Sequence, residues 1–258
     1  MVDDSPRARA GTLVRATLSL GDAALRASYV ASLLRDTPIE AIAQTLDAVC
    51  EAAEQAEESA REALFAIVDA LNVEDMVKVV HRLREEAAGS SLLALGRLIR
   101  MPPNARAAEV RPVTHLPNDG RSRPLTLGER KSLARRPDRE TMQRLLHDPH
   151  PDVIRRCLRN PRMTEDDVVR LSARRPGRGD VLAEIARSRW VHCPRVRIAL
   201  VLNPASPVEI TARIVGLLLR SELAMVSRSP AAVTGVRALC LEHLDRRPPV
   251  AVKSHGTT

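Results

Sequence analysis

Two stretches in the C-terminal half of the chain share a pattern that indicates the fold. Residues 148–161 read DPHPDVIRRCLRNP, and residues 193–204 read CPRVRIALVLNP. When they are aligned on Asn160-Pro161 and Asn203-Pro204, the two stretches lie 43 residues apart. Self-similarity at a fixed period of this length is typical of stacked helical repeats.

A second pair of motifs supports the period. Arg135-Arg136-Pro137 recurs as Arg174-Arg175-Pro176, at an offset of 39 residues. The difference between the two offsets indicates a four-residue insertion at residues 189–192, and a degraded third copy begins near Ser229-Pro230. Short helices that begin at prolines, with a period of about 40 residues, predict an α-solenoid over residues 126–246, because each unit must stack on its neighbours to bury its apolar stripe.

The composition independently favours helices. The chain of 258 residues contains one Phe, one Trp and one Tyr, so its core must be built from Leu, Val, Ile and Ala. Ala, Leu, Arg and Glu favour helices, whereas aromatic and β-branched residues favour strands. The sequence therefore predicts an all-α protein, with an N-terminal helical bundle joined by a Pro-rich linker to a short C-terminal α-solenoid.

Charge and proline content divide the chain into parts. Residues 1–100 carry a net charge of −5 and residues 101–258 one of +13, which places a boundary near residue 100. Prolines and small polar residues between Met101 and Pro124 indicate a linker. The predicted parts are a flexible tail at 1–20, an acidic helical bundle at 21–100, a Pro-rich linker at 101–125, basic helical repeats at 126–246 and a flexible tail at 247–258.

The two quoted stretches resemble the leucine-rich repeat variant and HEAT-like repeat families, in which a Pro–Val–Arg helix start and an Asn-Pro between short helices recur. The resemblance covers about residues 126–245, and the N-terminal half is not recognised. It implies protein–protein scaffolding, since DNA-binding members are a minority. Some variant-repeat proteins hold an iron–sulfur cluster in a Cys-rich N-terminal segment, but this chain has only Cys50 there, so no cofactor is expected.

The sequence lacks the common motifs of catalysis. It contains no glycine-rich phosphate loop, no Gly-x-Ser-x-Gly elbow and no His-Glu-x-x-His helix, so we predict that the protein is not an enzyme. The acidic triplet at residues 165–167 follows Thr164. At that position it is expected to satisfy the free amides at a helix start rather than to act as a catalytic acid–base pair.

Histidine and cysteine side chains in the repeats allow two interpretations. His147 and His150 are three residues apart, Cys157 follows, and His192-Cys193 lies in the next repeat. Histidine nitrogen and thiolate sulfur could together bind zinc. The histidines lie in Pro-rich turns, however, and small apolar residues would serve equally well at the cysteine positions. We therefore favour packing or solvent exposure and predict no metal.

Arginine provides the candidate binding surface. Arginines recur once or twice in each predicted helix beyond residue 126, and stacked repeats would align them in a basic stripe. Trp190 lies in the insertion and either anchors a partner, since Trp and Arg dominate binding hot spots, or plugs the solenoid core. The predicted partner-binding residues are Arg155, Arg156, Arg159, Arg174, Arg175, Arg189, Trp190, Arg195 and Arg197.

Several partners would suit this stripe. We predict a protein with an acidic surface, and the alternative is a DNA- or RNA-binding solenoid that uses the Arg-rich face. Proteins that bind single-stranded nucleic acid usually have aromatic side chains on which the bases stack, and this half of the chain has only Trp190. The acidic N-terminal half of the protein is a further candidate. Solvation of Arg-rich helix faces would require no partner.

The sequence also favours a cytoplasmic, bacterial protein. No run of about 18 apolar residues occurs, so no membrane partner is expected. The N-terminus lacks the apolar region of a secretory signal, and the four cysteines lie singly, as is usual in a reducing compartment. Lysine is rare and alanine abundant, as in GC-rich bacterial genomes. The expected function is that of an adaptor or regulator that modulates a signalling switch or positions a complex.

Overall fold

A computed structural model describes residues 5–100, 124–136 and 138–248, and every regular element in these ranges is a helix. They contain 15 α-helices, two short 3-10 helices and no strand. The prediction of an all-α protein is therefore confirmed for the described residues. The predicted linker lies outside them except for Pro124 and Leu125, and so does the predicted C-terminal tail from residue 249 onward.

The described residues form two compact units. The first comprises residues 5–99, 215–228 and 237–248, and the second comprises Arg100 with residues 124–214 and 229–236. The sequence predicted one boundary near residue 100. The structure instead groups two later segments with the N-terminal helices, and Leu217 of the first of these segments packs into the core of those helices.

The first unit opens with six α-helices. Their bounds are α1 Pro6–Ser19, α2 Ala23–Asp36, α3 Ile39–Glu54, α4 Glu58–Leu71, α5 Val77–Gly89 and α6 Leu93–Leu98, with a 3-10 helix at Glu74–Met76 before α5. The region of α1 was predicted to be a flexible tail. In the structure the Ser5 side chain caps α1 by accepting a hydrogen bond from the Ala8 N–H, and Leu13 and Val14 are buried, so this segment is a packed helix.

Helix α3 lies at the centre of the first unit and contacts α1, α4, α5 and α6. Its apolar positions Ile42, Leu46 and Val49 recur at helical spacing and are buried. Many of the surrounding core positions are alanine, which allows the helices to approach closely without aromatic side chains. Buried alanines of this core include Ala43, Ala53, Ala60, Ala63, Ala66 and Ala70.

The helices beyond residue 126 are shorter. Their bounds are α7 Leu127–Leu133, α8 Arg139–Leu145, α9 Pro151–Leu158, α10 Glu165–Ala173, α11 Gly179–Ala186, α12 Pro194–Leu202, α13 Val208–Leu217, α14 Arg220–Arg228 and α15 Thr234–Arg246, with a 3-10 helix at Arg189–His192. Helix α7 packs against α8 and α9, and α10 packs against α11 and α12. We call α7–α9 copy 1, α10–α12 copy 2 and α13–α15 copy 3.

Copies 1 and 2 begin in the same way. The hydroxyl groups of Thr126 and Thr164 each accept a hydrogen bond from the backbone N–H three residues later, and the carboxylates of Glu129 and Asp167 accept from the N–H of the capping threonine. These capping boxes satisfy amides that a helix start leaves open. The predicted capping role of the acidic triplet at 165–167 is thereby confirmed for Asp167.

Segments of α13 and α15 belong to the first unit. Leu217 joins the core formed by the N-terminal helices. Gly216 lies so close to α6 that a Cβ atom there would be 2.8 Å from the Leu98 Cδ1 atom. Only glycine permits this approach without a shift of Leu98, which explains its presence inside a helix.

Candidate binding surface

Ion pairs hold the second unit together from within. Arg130 of α7 donates hydrogen bonds of 2.6 Å to both carboxylate oxygens of Asp148, and the two side chains are 7% and 0% exposed. A charge that is buried so completely requires such a partner, because removal from water is costly. Arginines of this kind maintain the fold and are not available to a partner.

Asp167 has a second role in addition to its capping box. Arg139 of copy 1 donates to both carboxylate oxygens of Asp167, which is 3% exposed, and so ties α8 to α10. Burial opposes ionisation of Asp167, but the hydrogen bonds from Arg139 and Thr164 outweigh burial and lower its pKa to about 2. The carboxylate is therefore ionised throughout the neutral range.

Two of the predicted partner-binding arginines form ion pairs with carboxylates of the same unit. Arg155 of α9 donates hydrogen bonds of 2.6 and 2.9 Å to Glu184 of α11. Arg195 donates a hydrogen bond of 2.7 Å to Asp166 and lies 3.7 Å from Glu165. Both arginines remain partly exposed, but carboxylates within the unit compensate their charge.

Two further predicted arginines bind backbone carbonyls. Arg174 donates to the Leu146 carbonyl at 2.9 Å, and Arg175 donates to the Leu202 carbonyl at 2.8 Å. Partial burial lowers the pKa of Arg174. Each bond engages one guanidinium nitrogen and restricts where the side chain can reach, so both arginines contribute to the packing of the unit.

Arg197 does not belong to the surface. Its side chain is buried, with 4% of the residue exposed, and it donates to the carbonyls of Val191 and His192 at 3.1 and 2.8 Å. The prediction that Arg197 contacts a partner is therefore corrected. The guanidinium group instead secures the insertion against α12, a role that spacing in the sequence does not reveal.

Trp190 connects the insertion to copy 1. Its indole N–H donates to the Leu158 carbonyl at 2.9 Å, at the end of α9, and the ring is half-buried. The Arg189 guanidinium lies 4.9 Å from the indole centroid in a cation–π arrangement and is exposed. Trp190 is thus bound to the end of α9, at the residue that precedes Arg159.

Five arginines of copy 1 have guanidinium groups that make no hydrogen bond or ion pair among the described residues. Arg156 and Arg159 were among the predicted partner-binding residues, and Arg135, Arg136 and Arg162 were not. Four of the five are exposed, and Arg156 is half-exposed. We call these five residues the arginine edge.

Asn160 brings the loops of the arginine edge together. Its Nδ2 atom donates to the carbonyls of Ala134 and Arg136, at 2.9 and 2.8 Å, and its Oδ1 atom accepts from the Arg162 N–H at 2.9 Å. The loop at 134–136 therefore lies against the loop at 159–162. Asn160 is 2% exposed, so these bonds are protected from water.

The charge balance explains why the edge is unpaired. Between residues 124 and 214 the sequence contains 19 Lys and Arg but 11 Asp and Glu. One-to-one pairing within this range is therefore impossible, and the five arginines of the edge are among those that have no partner in the described residues. The excess itself was visible in the sequence, whereas its concentration at copy 1 was not, because pairing depends on residues far apart in the chain.

Among the histidines and cysteines that suggested zinc, His150 caps a helix and Cys157 is buried. The His150 Nδ1 atom caps α9 by accepting a hydrogen bond from the Asp152 N–H at 3.2 Å. Burial, with a smaller contribution from Asp148, raises the pKa of Cys157 to about 12. No group of three His, Cys, Asp or Glu side chains that could hold a metal ion occurs within the described ranges.

The first unit has a second candidate site, which was not predicted. A cleft of about 820 Å³ has Glu54 and Arg97 in its lining, and these form a bidentate ion pair with distances of 2.8 and 2.6 Å. The His243 Nδ1 atom lies 3.5 Å from Glu54. Both Glu51 and Arg7 also line the cleft, so its charges are mixed and do not select one class of ligand.

The helices of the described residues include none that is long and apolar enough to cross a membrane. The strongest candidate site is the arginine edge, since it combines exposure, unpaired donors and a fixed backbone. Comparisons of the chain with family models, with curated proteins and with solved structures find no match.

Proposed function

We propose that this protein is a non-catalytic, cytoplasmic adaptor of the HEAT-like or leucine-rich repeat variant type. It binds a protein partner with an acidic surface through the arginine edge, and it modulates a switch or positions a complex. The observation that carries the proposal is the set of five guanidinium groups without internal partners. Planar guanidinium groups form bidentate bonds with carboxylates and are favoured at interfaces.

A protein partner is favoured over single-stranded nucleic acid by the state of Trp190. Its N–H is bound to the Leu158 carbonyl, and Arg189 covers one face of its ring. Trp190 is the only Phe, Tyr or Trp that follows Phe65 in the sequence. Stacking on aromatic rings is a main source of affinity for single strands. Duplex DNA needs no stacking, so it remains the alternative that the experiment must test.

The experiment is a capture of partners on the tagged full-length protein, with and without nuclease, read by quantitative mass spectrometry. The test variant combines Arg159→Glu and Arg162→Glu. The control is Arg144→Glu, an exposed arginine of the same unit that is paired with Glu140. We expect a small set of proteins to survive nuclease, to fall by about tenfold with the double variant and to remain with the control, since like charges facing each other across an interface repel.

Two results would contradict the proposal. Loss of the captured proteins after nuclease treatment would show that nucleic acid bridges them. Retention of the same proteins by the double variant at the level of wild type would show that another surface binds them.

A further inference from the structure

The hydrogen bonds of Asn160 recur in copy 2. The Asn203 Nδ2 atom donates to the carbonyls of Ser172 and Arg174, at 2.7 and 3.1 Å, and its Oδ1 atom accepts from the Ala205 N–H at 3.0 Å. As in copy 1, the two carbonyls are two residues apart and lie at the end of the first helix of the copy. The recurring Asn-Pro is therefore a clamp between two loops of one copy.

Copy 3 contains the same clamp with a different residue. The Arg247 guanidinium donates to the Gly216 carbonyl at 2.8 Å and also to the Leu218 carbonyl. These carbonyls are again two residues apart at the end of the first helix, and Pro248 follows as proline follows Asn160 and Asn203. Arg247 was predicted to begin a flexible tail, but it is 8% exposed and completes the third copy.

The chemistry of the clamp explains both residue types. Two carbonyl groups at the end of a helix lack intrahelical donors and require two N–H groups from elsewhere. The amide of asparagine has two N–H donors and the guanidinium group of arginine has five, so either side chain can supply the two that are needed. Asparagine also supplies an acceptor, and Asn160 uses it to hold its own loop through the Arg162 N–H. Asparagine therefore fixes both loops, whereas arginine can fix only the helix end.

We propose that Asn160 is the positioning residue of the arginine edge, an inference that rests on the proposed function. Its two donors hold the loop that carries Arg135 and Arg136, and its acceptor holds the loop that carries Arg159 and Arg162. If either loop moved, the guanidinium groups would no longer be held at fixed positions relative to one another, and the partner could not contact all of them at once. A pre-organised site binds more tightly because the cost of ordering has already been met in the free protein.

Copy 2 provides a matched control. Asn203 makes the same three hydrogen bonds and is 4% exposed, compared with 2% for Asn160. The residues that follow Asn203, Pro204 and Ala205, include no arginine, and none of the edge residues lies in the loops that it joins. Substitution of Asn203 therefore removes an equal set of structural bonds and leaves the arginine edge in place.

The experiment compares full-length Asn160→Ser and Asn203→Ser with wild type. Binding of a fluorescein-labelled oligoglutamate peptide is measured by anisotropy, and thermal unfolding is measured by circular dichroism. We expect similar decreases in Tm for the two variants. We expect the Kd to rise about fivefold for Asn160→Ser and to stay within about twofold for Asn203→Ser, because only the first disperses the site. Asn160→Gln, which keeps the amide, should restore part of the affinity.

The outcomes separate the two proposals. Equal increases in Kd for the two serine variants would overturn the positioning role of Asn160 while leaving the proposed function intact. Absence of peptide binding by wild type would overturn the proposed function, and the positioning role with it. If either serine variant is unfolded at the assay temperature, the same comparison is made between Asn160→Gln and Asn203→Gln.

Discussion

At the scale of single residues, arginine has several distinct roles in this protein. Arg155 pairs with a buried glutamate, Arg175 binds a carbonyl, Arg197 is buried against the insertion, and Arg159 has no partner among the described residues. These four residues look equivalent in the sequence. Their roles differ because the nearest carboxylate or carbonyl is supplied by another helix, so only the unpaired type is suited to a binding surface.

The ionisation of Asp167 leads to a prediction about acid stability. Its pKa in the folded protein is lowered from 3.8 to about 2, so the ionised form stabilises the fold above about pH 4, and this stability is lost as the pH falls towards 2. The contribution is about 2 kcal/mol. We expect Asp167→Asn to lose about this much stability at neutral pH and to show a smaller further loss than wild type between about pH 5 and about pH 2.5.

The measurement is urea unfolding followed by the fluorescence of Trp190, which is the only tryptophan in the chain and lies in the same unit as Asp167. Asp166→Asn is the control, because Asp166 is 61% exposed in its pair with Arg195. An Asp167→Asn variant with the same acid profile as wild type would contradict the assignment.

At the scale of elements, the protein repeats one way of ending a helix. Each copy places two donors on carbonyls two residues apart at the end of its first helix, through Asn160, Asn203 and Arg247. The clamp therefore depends on the number and placement of donors, and the residue type can change. The replacement of asparagine by Arg247 also removes the Asn-Pro motif from the third copy in the sequence.

The clamp of copy 3 can be tested for its contribution to stability. Burial, with a smaller effect of Arg61, lowers the pKa of Arg247 to about 10, so the side chain remains charged at neutral pH. We expect Arg247→Ala to reduce the free energy of unfolding by about 2 kcal/mol, because two helix-end carbonyls lose their donors. Urea unfolding followed by circular dichroism measures this change.

Arg246→Ala is a matched control for Arg247→Ala. Arg246 is the preceding residue and is exposed, and its substitution is expected to change stability by less than about 0.5 kcal/mol. If the two alanine variants were equally stable, the clamp of copy 3 would contribute nothing to folding.

At the scale of the whole molecule, the charge distribution favours anionic partners in general. The chain carries +8 overall, with an acidic first part and a basic second part. Electrostatic attraction to any polyanion is therefore expected at low salt, and binding by itself does not identify the partner. The dependence of binding on salt separates a nucleic acid from a protein.

We predict the salt dependence of both kinds of complex. If the five guanidinium groups of the arginine edge neutralised phosphates of duplex DNA, affinity would fall about 500-fold between about 50 and 200 mM salt. A protein contact between the same guanidinium groups and carboxylates should weaken by about tenfold or less over the same range, because a protein surface lacks the condensed counterions of DNA. Anisotropy titrations of labelled duplex DNA and of a captured protein, in parallel, measure the two slopes. Equal, steep slopes for the two complexes would contradict this prediction.

The sequence by itself determined the features that arise from local physical chemistry. Helix propensity and the shortage of aromatic residues predicted an all-α protein, and the recurrence of Asn-Pro located residues of structural importance without revealing their function. The capping role at Thr164 was also predictable, because a cap involves residues within one turn of each other. The excess of basic over acidic residues between residues 124 and 214 could likewise be read directly from the sequence.

Only the tertiary structure decided which arginines are unpaired and how their loops are held. Asn160 reaches carbonyls 26 and 24 residues away, and Arg247 reaches carbonyls 29 and 31 residues away. The bidentate pair of Glu54 and Arg97 joins residues separated by 43 positions. Such partners are chosen by the packing of whole helices, whose energy depends on distant side chains. The local pattern therefore shows that arginine is abundant, and the packed structure determines which arginines can bind.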